Sequence, residues 1–365
     1  MDKDNQILFS EVKDPRVQGR CKHLLYDILF IALCTLLSNG EDYEDMVEFG
    51  KQRREWLGTI LELPNGIPSH DTFNRVLQIV DSESLSLCLQ EDGEQFLGKI
   101  KGKLINFDGK KLRGANPRSR GNSGLYILSA WVSENRLCIG QKKVKDKSNE
   151  ITAIPELLDS LELESTTISI DAIGCQKEIA EKIIGEKANY LLAVKANQGN
   201  LSEEVTEVFE FSPIKETVEV AEKGHGREEI RNCQILSAQE TLSPNLLAEW
   251  EGIKTLVKIE ETRIIRGVSQ TQSRYYISSE QENATYYNNL VRGHWGIENQ
   301  LHWHLDVTFK EDACRARKGN APQNLNILRK LALHRLTRMK DKLSLKKRRY
   351  RASLNNDYLQ KVLMR

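Results

Sequence analysis

Apolar residues recur at helical spacing through the first hundred residues of the chain. Leu24, Ile28, Ile31 and Leu36 follow the pattern of a helix with one buried face. A turn over residues 66–73 leads into a second helix, with Ser69 or Asp71 as its N-cap. Residues 1–98 are therefore predicted to form an all-α N-terminal domain. Two interpretations stay open: a DNA-contacting or assembly domain, and a helical scaffold packed on the rest of the chain.

The pattern changes near residue 99, where short apolar runs alternate with turns. Strands are predicted at residues 104–108, 125–132, 137–144, 166–171 and 189–194. The first three are close enough in sequence to form an antiparallel meander, whereas helices connect the later ones, as parallel crossovers require. This order predicts an α/β fold with a ribonuclease H-like mixed sheet, whose first part spans residues 99–198.

Residues 199–283 carry further alternating segments, at 217–220, 228–236, 255–259 and 274–277. They predict a mostly β insertion. Within it, His225 and Arg227 belong to a glycine-flanked basic turn that either faces a phosphate or is an ordinary exposed hairpin. Residues 284–365 are predicted to hold a further helix and then a basic helical tail.

That further helix carries an acid at the edge of an apolar stripe. At roughly 100° per residue, Leu290, Ile297, Leu301 and Leu305 share one face, and Glu298 lies beside them. A carboxylate next to a buried stripe is unfavourable unless a cation, a hydrogen bond or water satisfies it. A lone Glu of this kind is usually at the solvent margin, so the interpretation depends on acids elsewhere.

Two upstream aspartates supply that context. Asp108 and Asp171 each end a predicted strand, and both carboxylates lie at one sheet edge if those strands are neighbours. A ribonuclease H-like order then expects a third acid from a later helix. Carboxylate oxygens suit Mg²⁺ or Mn²⁺ rather than Zn²⁺, and such ions support two-metal displacement at phosphorus. We therefore predict that Asp108, Asp171 and Glu298 are catalytic residues and ligands of Mg²⁺ or Mn²⁺.

Composition narrows the class of protein. The 365 residues are 29% charged and 39% hydrophobic, as in a globular chain of two or three domains. No apolar run reaches the roughly 18 residues of a membrane span, and the polar start does not resemble a signal peptide. Seven scattered cysteines without a Cys-x-x-Cys pair indicate reduced thiols in a cytoplasm. A zinc site from His302, His304 and Cys314 is disfavoured, since structural zinc takes closely spaced paired ligands.

Charge is informative regionally rather than in total. From Arg329 to Arg351 there are eleven Lys or Arg residues and one acid, Asp341. This density favours phosphate contact over a solvated face, because DNA carries a charge about every 1.7 Å of axis. The predicted partner is double-stranded DNA. The candidate DNA-binding residues are Lys110, Arg113, Lys195, Gln198, His225, Arg227, Arg292, His294, Trp295, Lys346, Lys347, Arg348 and Arg349.

Motifs spread over nearly the whole chain are similar to one family. They occupy residues 14–16, 66–73, 107–110, 147–158, 171–176, 195–198, 225–231, 274–277 and 294–306. In combination they resemble bacterial insertion-sequence DDE transposases of the H-repeat-associated kind. The resemblance implies a ribonuclease H-like catalytic domain, Mg²⁺-dependent DNA strand cleavage and transfer, and Asp108, Asp171 and Glu298 as the catalytic triad. It also implies a homodimer assembled on DNA in the bacterial cytoplasm.

One departure concerns a larger related group that carries Tyr-x₂-Arg-x₃-Glu-x₆-Lys around the glutamate. Those positions here hold Val291, His294 and Leu305, so His294 or Arg292 is the candidate substitute for the Arg. No role follows for Asn149 or Glu150. The sequence thus predicts a DNA transposase. The alternatives are a metal-dependent nuclease of the same fold without strand transfer, and a domesticated relative that only binds DNA.

Overall fold

The computed structural model describes residues 8–17, 19–115, 125–144, 150–224 and 226–364. Its helices are α1 (Leu25–Leu37), α2 (Tyr43–Gln52), α3 (Arg54–Leu57), α4 (His70–Ile79), α5 (Ser82–Leu97), α6 (Glu150–Leu158), α7 (Lys177–Gly185), α8 (Gly199–Phe211), α9 (Ala238–Thr241), α10 (Pro244–Glu249), α11 (Ala284–His294), α12 (Ala321–Thr337), α13 (Leu345–Leu354) and α14 (Asn356–Leu363). Its strands are β1 (Leu104–Leu112), β2 (Leu125–Val132), β3 (Leu137–Val144), β4 (Thr167–Ile170), β5 (Asn189–Val194), β6 (Glu216–Gly224), β7 (Arg227–Ser237), β8 (Thr255–Ile265) and β9 (Val268–Ser278).

The strands form one mixed sheet in the order β3-β2-β1-β4-β5-β9-β8-β7-β6. β1, β2 and β3 are an antiparallel meander, whereas β4 is parallel to both β1 and β5. The predicted meander and parallel crossovers are confirmed in this pairing. Because β1 and β4 are direct neighbours, residues that follow the buried part of each strand meet at one edge of the sheet.

The segment after β5 adds its strands to this same sheet. β9 pairs antiparallel with β5, and β8, β7 and β6 continue outwards from it. The predicted β character is confirmed, although the strands are longer than predicted and α8, α9 and α10 accompany them. The alternating pattern predicted strands that are too short because the outer ends of the observed strands are polar on both faces. In β9, for example, the first six residues are all exposed.

Helices α1, α4 and α5 of the N-terminal region pack against α12 from the far end of the chain. Ser69 is the N-cap of α4, and its hydroxyl accepts the Thr72 N–H at 3.3 Å. Of the two predicted N-cap residues, Ser69 is therefore confirmed. α12 is buried along almost its whole length. The segment predicted as a basic helical tail therefore contributes α12 to the core.

The charges on α12 are matched by partners inside the protein. Asp92 of α5 lies 2.5 Å from Arg335, 2.8 Å from Arg338 and 3.1 Å from His334. Burial opposes ionisation of Asp92, but the His334 hydrogen bond and the two guanidinium groups hold its pKa well below its usual range. This cluster joins the N-terminal helices to α12.

A second set of contacts joins α12 to the sheet. Lys330 is buried and donates to the Ser129 hydroxyl at 2.7 Å and to the Gln141 side-chain oxygen at 2.6 Å. Arg329, also buried, lies 3.5 Å from Glu311. α12 therefore bridges the N-terminal helices and the meander.

Two general expectations concern the membrane and the thiols. No helix in the described ranges is both long enough and apolar enough to cross a membrane. All seven cysteines are free thiols. Across the same ranges, no three or more His, Cys, Asp or Glu side chains are close enough together to hold a metal ion directly.

Candidate active site

Asp108 lies on β1, and Asp171 directly follows β4, the parallel neighbour of β1. Phe107 of β1 is paired with Ile170 of β4, so each aspartate is one residue beyond this pair. Asp171 ends β4 and accepts the Ile173 N–H at 3.2 Å, which fixes the turn after the strand. The prediction that Asp108 ends its strand is wrong, because β1 continues along β2 to Leu112. The register nevertheless places both acids at the same level of the sheet.

Glu298 is carried by a helical segment that contains π turns. After α11, residues Ile297–His302 and His304–Thr308 are π-helical. The predicted apolar stripe is confirmed, since Ile297, Leu301 and Leu305 are each at most 1% exposed. Glu298 lies outside this stripe and is exposed. π turns widen a helix locally and frequently occur at functional sites.

α11 is held close to β1 by polar contacts to one carbonyl. The Gly293 carbonyl accepts the Ser133 hydroxyl at 2.7 Å and the Asn106 side-chain amide at 3.1 Å. A Cβ at residue 293 would lie only 2.6 Å from Leu104 Cδ2. Glycine weakens a helix prediction from sequence, but here it permits the close approach that brings the Glu298 segment to the strand bearing Asp108.

The environment of Asp108 shows that these acids converge. Its side chain is 18% exposed. Burial, followed by the charges of Asp171, Glu150 and Glu298, raises the pKa of Asp108 to about 8. The Gly109 N–H donates to its carboxylate at 2.9 Å and only partly opposes this shift. The structure thus brings Asp171 and Glu298, together with a fourth acid, within electrostatic reach of Asp108.

The fourth acid, Glu150, is one that sequence reasoning missed. It begins α6, and a Cβ placed on Gly109 would overlap its carboxylate. Burial and, after it, the charge of Asp171 raise the pKa of Glu150. Its position in the 147–158 motif was the available signal, but no periodicity connects a helix start to the edge of a distant strand. Asn149, which precedes it, lies outside the described residues.

His302 contacts the same carboxylate from the π-helical segment. Its Nδ1 lies 3.4 Å from Asp108 Oδ2, and its side chain is 13% exposed. Burial, with Lys330 and Lys110 nearby, lowers the pKa of His302 to about 3, so the imidazole is neutral. Its Nε2 has no hydrogen-bond partner in the described structure. The structure thus places a neutral ring beside the Asp108 carboxylate.

A groove of about 560 Å³ runs from the β7–β9 face to Glu298. Five arginines and three glutamates among its lining residues give it a formal charge of +2. The predicted DNA contacts Arg227, Arg292 and Trp295 all line it. Sequence reasoning did not select three further arginines, Arg231, Arg263 and Arg274, because they lie on three different strands and only sheet pairing brings them together.

Aromatic and ionic contacts organise this groove. The Arg274 guanidinium lies over the Trp295 ring, 4.4 Å from its centroid. Arg227 lies 2.6 Å from Glu229, and Arg292 pairs with Glu222 of β6. Both are about half exposed, so their remaining donors face the groove and solvent.

Four other predicted DNA contacts are exposed but do not line the groove. Lys195 follows β5, and Lys346 and Lys347 lie in the first turn of α13. The Arg113 side chain is 79% exposed and lies 3.6 Å from Asp312. His225 lies outside the described residues.

Three predicted contacts near the acids are used inside the protein instead. Lys110 is buried and paired with three acids of the segment 306–312, the closest being Asp306 at 2.7 Å. The Gln198 amide donates to the Cys175 carbonyl. His294 is buried against the Ser169 hydroxyl, and burial, with Arg274 nearby, lowers its pKa to about 4. These placements correct the expectation that the three side chains meet DNA.

The basic run 346–349 contains two exposed lysines followed by two buried arginines. Arg349 is 1% exposed and donates to the carbonyls of Leu36 and Gly40, among others, while Arg348 is 8% exposed and lies 2.7 Å from Asp341. They stabilise helix packing, so the expectation that they contact phosphate is corrected too. Charge density in sequence did not distinguish these buried guanidinium groups from the exposed lysines beside them.

Comparison with known proteins adds to this geometry. Residues 7–91 match a family described as DDE_Tnp_1-associated, and residues 72–335 match the family described as Transposase DDE domain. The chain is 40% identical to "Putative transposase YncI" of Escherichia coli O157:H7, over 97% of this chain and 93% of the relative. It is 36% identical to "H repeat-associated putative transposase YhhI" of Escherichia coli K12, over 97% and 96%.

A shorter match has a different description. "Inactive transposase YbfQ" of Escherichia coli K12 is 38% identical, but over only 18% of this chain. The longer matches cover both the N-terminal helices and the sheet that holds the acids. On its match over residues 72–335 and its full-length relatives, the chain belongs to the family of transposases with a DDE domain.

Proposed function

We propose that this chain is a DNA transposase that cleaves the ends of an insertion sequence and transfers them to target DNA. The observation that carries the proposal is that Asp171 and Glu298, which come from distant parts of the chain, lie close enough to Asp108 for their charges to raise its pKa. The order β3-β2-β1-β4-β5 supports a ribonuclease H-like core, with the β6–β9 segment as its insertion. Family membership supports DNA as the substrate.

The chemistry of the donor set fits a divalent cation. Asp108, Asp171 and Glu298 offer hard oxygen ligands, and none of them forms an ion pair with Lys or Arg in the described part of the chain. We propose that they hold Mg²⁺ or Mn²⁺ and that binding draws them closer together. A bound cation would offset the carboxylate charge and lower the pKa of its water, making a nucleophile available at neutral pH.

The remaining residues bind and orient the DNA. Arg227 and Arg292 contact phosphates of the strand that leads to Glu298, since both line the groove that ends there. Trp295 offers an aromatic face in the same groove. His302 holds the Asp108 carboxylate in place, so it acts as a positioning residue. Exposed Lys346 and Lys347 lie on α13 and meet another part of the duplex. Two element ends imply two chains, so a homodimer forms on DNA.

The decisive experiment is a strand-transfer assay with Mg²⁺ on DNA that carries the element's own inverted repeats. The native protein should nick these ends and join the freed 3′-hydroxyl to target DNA. Glu298→Gln should lose both steps, whereas Glu282→Gln, an exposed acid just before α11, should keep them. Joined product from Glu298→Gln would refute the catalytic assignment.

The same assay separates the alternatives. Nicking by the native protein without joined product would indicate a metal-dependent nuclease of this fold. Binding without nicking would indicate a relative that only binds DNA.

A further inference from the structure

Three of the four buried acids in the described ranges pair with cations, and the fourth, Asp27, accepts the Leu63 N–H at 3.1 Å. Asp92 has Arg335 and Arg338, and Glu311 has Arg329 within 3.5 Å. A charge removed from water is unfavourable unless such a partner is supplied. A half-buried acid is therefore expected to have a cation or a hydrogen-bond donor beside it.

Glu150 has no such partner. It is half-buried, and within the described ranges no Lys or Arg forms an ion pair with it. Its carboxylate lies instead where a Cβ on Gly109 would be, next to the backbone that carries Asp108. Within the described ranges, Glu150 is thus placed beside the strand of another acid without a Lys or Arg paired to it.

Backbone geometry keeps Glu150 in this position. Its carboxylate occupies the space that a side chain at residue 109 would need, directly after Asp108. α6 packs on β3 and β2, and Ala153, Ile154 and Leu157 anchor it in the core. The Glu150 carboxylate therefore lies beside the Asp108 backbone because a packed helix places it there.

We propose that Glu150 is a fourth carboxylate of the divalent-cation site, beside Asp108 and Asp171. The proposal rests on the proposed function, because it adds a ligand to the same Mg²⁺ or Mn²⁺ site. It explains why residue 109 is glycine and why, among the described residues, no Lys or Arg forms an ion pair with these acids. In the metal-free protein Glu150 lies among acids, and a bound divalent cation would relieve the resulting repulsion.

The test is Mn²⁺ binding by isothermal titration calorimetry on the full chain without DNA. Glu150→Gln should weaken Mn²⁺ binding at least about tenfold relative to the native protein. Glu156→Gln is the matched control, since Glu156 is on the same helix, is 52% exposed and pairs with Lys142 instead. It should bind Mn²⁺ as the native protein does.

Thermal unfolding in the presence of a chelator gives a second readout. Glu150→Gln should raise the melting temperature of the metal-free protein, because one of the repelling charges is removed, and Mn²⁺ should then stabilise it less. Gly109→Ala should also weaken Mn²⁺ binding, since its methyl group displaces the Glu150 carboxylate without removing it.

The outcomes are distinguishable. Native affinity in both Glu150→Gln and Gly109→Ala overturns the assignment of Glu150 and leaves the three-acid site standing. Absence of Mn²⁺ binding by the native chain overturns the metal-dependent function as well. Weakened binding in both variants, with Glu156→Gln unchanged, supports the fourth carboxylate.

Discussion

Asp108 is the residue at which burial and charge combine most strongly. Its pKa is raised to about 8, first by burial and then by three neighbouring acids. An acid whose pKa is higher in the folded than in the unfolded protein holds its proton more tightly when folded. The stability that this proton contributes is present at low pH and is lost as the pH rises from about 4 towards 8.

This shift predicts a pH dependence of the metal-free protein. In a chelating buffer, the free energy of unfolding should fall between pH 5 and about 8, by up to roughly 1.4 kcal/mol per pH unit from this group. Asp108→Asn should flatten that slope, whereas Asp159→Asn, at an exposed acid, should not. Urea denaturation at several pH values measures the effect. An unchanged slope in Asp108→Asn would show that Asp108 titrates normally.

At the scale of single elements, the contact between α11 and β1 sets the position of Glu298. The helix approaches β1 at Gly293, where there is no room for a Cβ beside Leu104. Beyond that contact the chain continues into π turns that expose Glu298 while Ile297 and Leu301 remain buried. The glycine and the π turns therefore decide together where the acid lies.

Gly293→Ala should shift α11 away from β1. We expect a loss of about 1–3 kcal/mol in the free energy of unfolding and a larger fractional loss of DNA cleavage than of DNA binding. Gly185→Ala, at the end of α7, is the matched control because nothing lies within 4 Å of its added Cβ. Cleavage by Gly293→Ala at the native rate would show that this close approach does not determine the position of Glu298.

Sequence patterns predicted elements well wherever one face of an element is buried. The five strands of the first sheet segment and the stripe beside Glu298 follow directly from periodicity, and the acids follow from strand order. The π turns did not, because they leave the apolar stripe intact. Glu150 was missed because its neighbours, Asp108 and Asp171, are brought to it only by folding. Lys110 and Arg349 were misjudged because a buried cation and an exposed one look alike in sequence.

At the scale of the whole molecule, α12 connects two regions distant in sequence. One side of it packs on α1, α4 and α5, and the other reaches the sheet through Lys330. Asp92 supplies the charge that compensates two basic side chains of α12, His334 and Arg335, and Arg338 directly after it. Removal of one partner from such a cluster leaves buried charge without compensation.

Asp92→Asn should therefore destabilise the protein by about 3–5 kcal/mol, read from the midpoint of urea denaturation. Glu91→Gln is the control, since Glu91 is the preceding residue of the same helix and is exposed. Equal midpoints for Asp92→Asn and the native protein would mean that Arg335 and Arg338 find other partners.

The arginine groove makes a separate prediction about DNA. Binding that neutralises phosphates weakens as salt rises, with a slope that reports the number of contacts. Arg292→Gln should weaken binding at low salt and reduce the slope of log K against log salt by about 1. Lys177→Gln, an exposed lysine on α7 paired with Glu249, should change neither quantity. Fluorescence anisotropy with a labelled duplex at several salt concentrations measures both.

The burial of α12 also bears on protein synthesis. The acids of the site and the helices α1, α4 and α5 are all translated before residue 321, where α12 begins. Until the ribosome has added α12, those three helices lack the surface against which they pack. A chain truncated just upstream of α12 would thus contain every acid of the site and still lack the surface on which its N-terminal helices pack.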